Sequence, residues 1–265
     1  MSSYLLDTTL ARFGHKVLRH LVPRWLRPAQ YIRALAESRT HLIVQRGPFR
    51  SMRYVDQSVG STLVPKWLGT YERELWDCIE EAIVLPFDTV INVGTAEGYY
   101  AVGLAIRMPK ARIIAFEMDP PARHLLSAMM ALNGIENQVT IGNVCSREDL
   151  VATLRNSEMT LVVCDAEGSE AILLDPIRVP RLQHCHILVE LHDFLIPGLS
   201  EEIRDRFRRT HSVRHILQEA RHRSEFPYGT AYTKFVPSSI DLALSEGRPC
   251  KMAWYWMCPS KHVAQ

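Results

Sequence analysis

The sequence predicts an α/β fold: a doubly wound, mostly parallel sheet with an antiparallel C-terminal hairpin, preceded by an N-terminal helical and hairpin extension. Three observations carry this. Five short aliphatic runs, Thr89 to Val93, Arg112 to Glu117, Gln138 to Gly142, Thr160 to Asp165 and His186 to Leu191, have the composition of strands buried on both faces. Helical stretches at Tyr99 to Met108, Pro121 to Leu132, Arg147 to Arg155 and Ser169 to Asp175 alternate with them. Such alternation specifies a parallel sheet covered by helices on both sides. Beyond it, Val213 to Leu217 and Met252 to Met257 read as strands, with helices near Glu201 to Arg209 and Ile240 to Ser245, the pattern of a closing antiparallel hairpin.

The elements before the sheet follow in order. Residues 1 to 50 hold nine Lys or Arg against two Asp or Glu, and Leu10, Phe13, Val17, Leu18 and Leu21 keep helical spacing beside Arg12, Lys16 and Arg19. That pattern permits a basic amphipathic helix on a membrane surface. The reading that Pro23 and Pro28 favour, by breaking the helix early, is a helix packed on its own domain or in a homodimer. His41 to Val44 and Met52 to Val55 flank the turn residues Arg46-Gly47-Pro48-Phe49 and predict a hairpin. Leu75, Trp76, Ile79, Ala82 and Ile83 predict a helix over Tyr71 to Val84, stopped by Pro86. The division expected is an extension over 1–69 and a cofactor-binding domain over 70–265.

Composition bounds the function. With 265 residues and 47% hydrophobic content the chain can bury one large core. A net charge of only +2 argues against a nucleic-acid binder. Six cysteines without a C-x-x-C pair exclude a disulfide framework or structural zinc as the expected stabiliser. Without a signal-peptide pattern or a run of about 18 apolar residues, the expected compartment is the cytoplasm.

The chemistry concentrates where strands end. Val90-Ile91-Asn92-Val93-Gly94-Thr95-Ala96-Glu97-Gly98 runs from strand through a glycine turn to a helix start, and glycine there lets the backbone pass close to a ligand. The spacing is G-x-x-x-G rather than the G-x-G-x-x-G of dinucleotide sites, which disfavours a nicotinamide cofactor. Glu117 ends the next strand 23 positions after Gly94, where an acidic side chain accepts hydrogen bonds from ribose hydroxyls. Asp165, Glu167, Glu190, His192 and Asp193 also fall at or just after strand ends, where ligands of open α/β sheets bind. His192 suits a general base, its ordinary pKa of about 6.5 lying near neutrality; bonding to a backbone carbonyl is the competing role. For Asp165 and Glu167 the competing role is helix capping. Asp165 with Glu190 or Asp193 forms a hard oxygen donor set suited to magnesium, which would hold and acidify a hydroxyl. Tyr71-Glu72 is a candidate cover for the cofactor, and Phe226, Tyr228 and Tyr232 are candidates for a lid or acceptor pocket, or for packing.

Three segments, Asn92-Val93-Gly94-Thr95-Ala96-Glu97-Gly98-Tyr99-Tyr100, Asp165-Ala166-Glu167-Gly168-Ser169-Glu170 and Val189-Glu190-Leu191-His192, make the chain resemble the Rossmann-like S-adenosylmethionine (SAM) methyltransferases, the FkbM-type family in particular. The likeness spans roughly Thr70 to Gly198, and Asn92 stands where that family usually has Asp. It implies SAM as cofactor, with the methionine over Gly94 to Gly98 (Asn92, Thr95 and Glu97 beside it), ribose on Glu117, adenine near Gly142 and Asn143, and Asp165 bordering it. It also implies O-methylation of a small molecule or glycan, with His192, Asp165 or Glu167 assisting deprotonation. Nitrogen methylation is the alternative within enzymes, and a non-catalytic binding or membrane-surface scaffold the alternative outside them. The Pro-Pro-aromatic motif of base-directed enzymes is missing, which again sets nucleic acid aside.

Overall fold

The computed structural model describes residues 27–260, so the basic segment around Leu10 to Leu21 lies outside the described residues. Seven strands form one sheet: β1 (Thr89–Val93), β2 (Arg112–Phe116), β3 (Val139–Gly142), β4 (Thr160–Cys164), β5 (His186–Leu191), β6 (His211–Leu217) and β7 (Ala253–Pro259), in the spatial order 3-2-1-4-5-7-6. The first five pair in parallel, and β7 inserts antiparallel between β5 and β6. The fold is the mostly parallel α/β sheet with an antiparallel C-terminal pair that the sequence predicts.

Alternation within the inner strands explains the two layers. Val90, Leu161, Val163 and Leu188 face one core, while Ile91, Val162, Cys164 and Ile187 face the other. Because neighbouring side chains in a strand point to opposite faces, five buried residues in a row, as in β1 and β4, require a core on each side. The first core takes in helices α1 (Pro28–Thr40), α2 (Leu63–Leu68), α3 (Trp76–Ile83), α4 (Tyr99–Arg107) and α5 (Pro120–Asn133); the second takes in α6 (Arg147–Leu154), α7 (Glu170–Leu173) and α8 (Leu199–Phe207). Helix α9 (Pro237–Leu244) lies in the long excursion between β6 and β7 and packs on α1. Local chemistry sets the ends: Ser146 and Asp149 form a reciprocal capping box on α6, and Gly134, left-handed at φ 67°, ends α5.

Pro28 opens α1, since a proline in the first turn needs no N–H partner, and the helix expected before it lies outside the described residues. Three expectations are corrected. The hairpin over 41–55 reduces to one antiparallel bridge, Ile43 to Arg53, because Gln45 N–H turns to the Trp67 carbonyl instead of a partner strand. The helix over Tyr71 to Val84 is interrupted: Glu72 is left-handed (φ 46°), a short 3-10 turn covers Arg73–Leu75, and α3 follows. Strands β2 and β4 stop one residue short of Glu117 and Asp165, which stand at the carboxyl edge with their N–H groups still bonded to the ends of the neighbouring strands. No helix among the described residues is long and apolar enough to cross a membrane.

Candidate functional site

A cavity of about 450 Å³ opens over the carboxyl ends of β2, β1, β4 and β5. In that spatial order the strand ends present Glu117, the Gly94 turn, Asp165 and His192, all of which line it. Asn92, Thr95 and Asn143 line it as well. Gly94 is left-handed (φ 74°), and a Cβ there would lie 1.6 Å from the Asp165 carbonyl oxygen, so the β1 turn and the β4 end touch backbone to backbone. Glu117 is fixed by two backbone donors, Ala96 N–H at 2.7 Å and Asp119 N–H at 2.8 Å, one on each carboxylate oxygen. A lone pair on each oxygen remains for a diol.

Glu97 and Gly98 do not line the cavity. The left-handed Ala96 (φ 49°) carries the chain away from the cavity, and Glu97 is sealed among the N-terminal segments. There it accepts from Lys66 Nζ, from Tyr54 Oη at 2.8 Å and from Ser58 Oγ at 2.7 Å. The charges of this pair are satisfied before any ligand enters. Gly98 is glycine because α5 packs against it: an added Cβ would meet Leu126 Cδ1 at 2.5 Å. Val59, Gly60, Ser61 and Lys66 do line the cavity, although nothing in their spacing signals it.

His192 is the hub of the other end. It is 1% exposed, with Nδ1 2.9 Å from Glu170 Oε1 and Nε2 at 3.5 Å from Asp165, 3.6 Å from Glu167 and 3.6 Å from Glu190. Burial works against its charge, but the Glu170, Asp165 and Glu167 carboxylates outweigh burial and raise its pKa above the ordinary value. Glu170, which sequence reasoning missed as a functional residue, is fully buried and also accepts from Ala166 N–H at 2.7 Å and Gly168 N–H at 2.8 Å. One carboxylate thus shapes the loop after β4 and sits against the imidazole. The signal was its place at the end of the Asp165 to Glu170 segment.

Behind His192 runs a buried ionic network. Arg248, from the excursion before β7, bonds Glu190 at 2.6 Å and Glu72, and its guanidinium lies 5.7 Å from the Tyr71 ring centroid. Glu72 also accepts from Tyr100 Oη, while Glu246 accepts from Glu72 N–H at 2.9 Å and pairs with Arg221 at 2.5 Å. Burial, and then the Asp165 and Glu72 charges, push Glu190 far above the usual carboxylate range. Tyr71 lines the cavity, as do Glu246 and Arg248, whereas Glu72 does not. Phe226 and Tyr228 stack on each other at 5.6 Å and Tyr232 on Tyr31 at 4.8 Å; none of the three lines the cavity, so they are packing for α1 rather than a lid.

The metal expectation is half corrected. Asp193 is taken by Ser200, whose N–H and Oγ reach its carboxylate at 3.1 and 3.0 Å at the start of α8. Asp165, Glu190 and His192 instead offer ligand atoms within 4.8 Å of one another, and Asp165 Oδ1 and Glu190 Oε2 are buried without a hydrogen-bond partner. That donor set fits a divalent cation in spacing.

No family model matches the sequence, and no curated protein sequence does. Solved structures do resemble it. The precorrin-6y C5,15-methyltransferase of Geobacter metallireducens GS-15 is similar with a TM-score of 0.51 and 15% identity, over 76% of this chain and 93% of that one. The C-terminal domain of precorrin-6Y C5,15-methyltransferase from Rhodobacter capsulatus gives a TM-score of 0.46 and 13% identity over 83% and 99%. The O-methyltransferase TomG from Streptomyces achromogenes, solved in complex with SAM, gives 0.43 and 13% over 68% and 77%. At these identities the likeness is one of architecture, and the chain has the Rossmann-like fold of the class I methyltransferases.

Proposed function

We propose that the chain is a SAM-dependent methyltransferase acting on a hydroxyl of a small molecule or glycan. The observation that carries the reading is one cavity that joins a diol-accepting carboxylate and a glycine turn at β2 and β1 to an imidazole backed by a buried carboxylate at β4 and β5. The Gly94 turn walls the cofactor side of the cavity, and Glu117 takes the ribose hydroxyls. With Glu170 at Nδ1, His192 keeps Nε2 toward the cavity to receive a proton. The acceptor oxygen attacks the methyl carbon, the sulfonium sulfur leaves with the bonding pair, and the hydroxyl proton passes to His192 Nε2. Asp165, Glu170 and Glu167 then stabilise the imidazolium. Were magnesium bound, the carboxylate oxygens of Asp165 and Glu190 would hold it beside His192, and its chemistry would be to acidify the acceptor hydroxyl.

Titration calorimetry with SAM and with NAD tests the cofactor. SAM alone should bind, and a folded protein that ignores SAM would end the reading. Glu117→Gln should weaken SAM by about 10- to 100-fold, the equivalent of roughly one charge-assisted hydrogen bond of 1.5–3 kcal/mol. An unchanged affinity would remove the ribose assignment.

Glu170→Gln tests the base. Losing that charge lowers the His192 pKa, so the acid limb of the kcat profile should move to lower pH and its plateau should fall. A limb that stays in place would separate Glu170 from the titrating group.

A further inference from the structure

Across the carboxyl edge Glu117 and His192 stand three strand spacings apart, about 14 Å at roughly 4.8 Å per strand. The β2 and β1 side is spoken for by the cofactor, which leaves the β4 and β5 side for the acceptor. That side is acidic. Asp165, Glu167, Glu170 and Glu190 all reach His192 within 3.6 Å. The guanidinium among the lining residues, that of Arg248, is already bonded to Glu190 and Glu72.

A second observation is independent of the charge. Among the described residues the buried side-chain oxygens lining this cavity that lack a hydrogen-bond partner are Asn92 Oδ1 and Asp165 Oδ1. Both are acceptors when Asp165 is ionised. A buried acceptor without a donor costs free energy of about 1–3 kcal/mol, so the ligand that completes this site has to bring N–H or O–H groups. The loop after β4 adds a third observation. Glu167 holds a left-handed backbone (φ 48°) because Glu170 grips the N–H groups of Ala166 and Gly168 on either side of it. Its carboxylate is thereby presented at the cavity wall with 77% of the side chain exposed. The same end carries Phe194, Pro249 and Met252, an apolar surface suited to the body of a ring.

We propose that the acceptor carries a protonated amine beside the hydroxyl that is methylated, as in an amino-sugar or amino-alcohol, with Glu167 and Asp165 holding the ammonium. This rests on the methyltransferase reading. The chemistry selects oxygen as nucleophile: a protonated amine has no lone pair with which to attack the methyl group, so it anchors, and the neighbouring hydroxyl reacts with His192 as base. Carboxylated or phosphorylated acceptors would meet like charges and be excluded.

The test uses the full chain saturated with S-adenosylhomocysteine and three small probes of one size: ethanolamine, ethylene glycol and glycolate. The His192 ring resonances, assigned with His192→Asn, report binding. Ethanolamine should shift them saturably with a Kd about tenfold below that of ethylene glycol, and glycolate should not shift them at all. In Glu167→Gln the preference should vanish while S-adenosylhomocysteine affinity stays unchanged. Equal response to ethanolamine and ethylene glycol, a preference that survives Glu167→Gln, or no saturable response would each overturn the proposal. So would saturation of the same resonances by magnesium that ethanolamine does not displace. Failure of S-adenosylhomocysteine to bind strikes the cofactor reading instead, and the amine preference is then read on the unliganded protein.

Discussion

Gly94→Ala is expected to lose SAM binding altogether and to unfold at markedly lower denaturant. Two costs fall on the same atom. The backbone is left-handed at φ 74°, which an alanine occupies at a penalty of roughly 1–2 kcal/mol, and the added Cβ would lie 1.6 Å from the Asp165 carbonyl oxygen and 2.7 Å from its carbon. Backbone cannot swing aside as a side chain would, so β1 and β4 have to part. Asp165 N–H bonds the Val93 carbonyl at 3.0 Å, and Gly94 N–H bonds Phe116 at 3.0 Å, so that movement breaks ladder ends on both neighbours. The total exceeds about 3 kcal/mol, in the range of severe single substitutions. Gly134→Ala is the control, left-handed at φ 67° with no atom within 4 Å of the new Cβ, and should cost only the backbone term. Calorimetric SAM titration and urea denaturation of both variants make the comparison. A Gly94→Ala protein that bound SAM within threefold of the parent would place the cofactor elsewhere.

His192→Ala should lower kcat by about 10²- to 10⁴-fold while leaving the affinity for SAM intact, since general base catalysis contributes on that scale. The pH profile gives the sharper reading. Burial opposes the imidazolium, but the surrounding carboxylates outweigh it and raise the pKa above about 6.5, so the neutral, proton-accepting form fills only on the alkaline side of that value. Parent activity should therefore climb through a limb above 6.5, and the variant should show residual turnover without it. Full turnover in His192→Ala would hand the proton to another group.

Much of this was legible in the sequence, for a physical reason. Thr89–Val93 and His186–Leu191 are the strands that the apolar runs mark, because strands buried on both faces leave an uninterrupted signal. Glu117, Asp165 and His192 were legible because ligands meet parallel sheets at the carboxyl edge. What stayed hidden depends on contacts between distant positions. Lys66 and Glu97 neutralise each other across 31 residues, and this made a residue beside the glycine turn look like a ligand contact. Arg248 meets Glu72 across 176 residues, and β7 rather than β6 pairs with β5; neither leaves a spacing to read. Glu170 was in view within its segment, but its three partners are set by a left-handed turn at Glu167 that local pattern does not announce.

The position of Arg248 bears on how the protein is made. During synthesis Glu72 and the five parallel strands, with Glu190 in the last of them, emerge well before residue 248, so a chain still on the ribosome already has the sheet edge but not the guanidinium that two of its buried carboxylates require. Closing the hub and seating β7 are then one event, later than the assembly of the parallel strands. A product stopped before Arg248 would carry buried, uncompensated acids and stand open to quality-control proteases, rather than persist as a decoy that sequesters cofactor without turning it over.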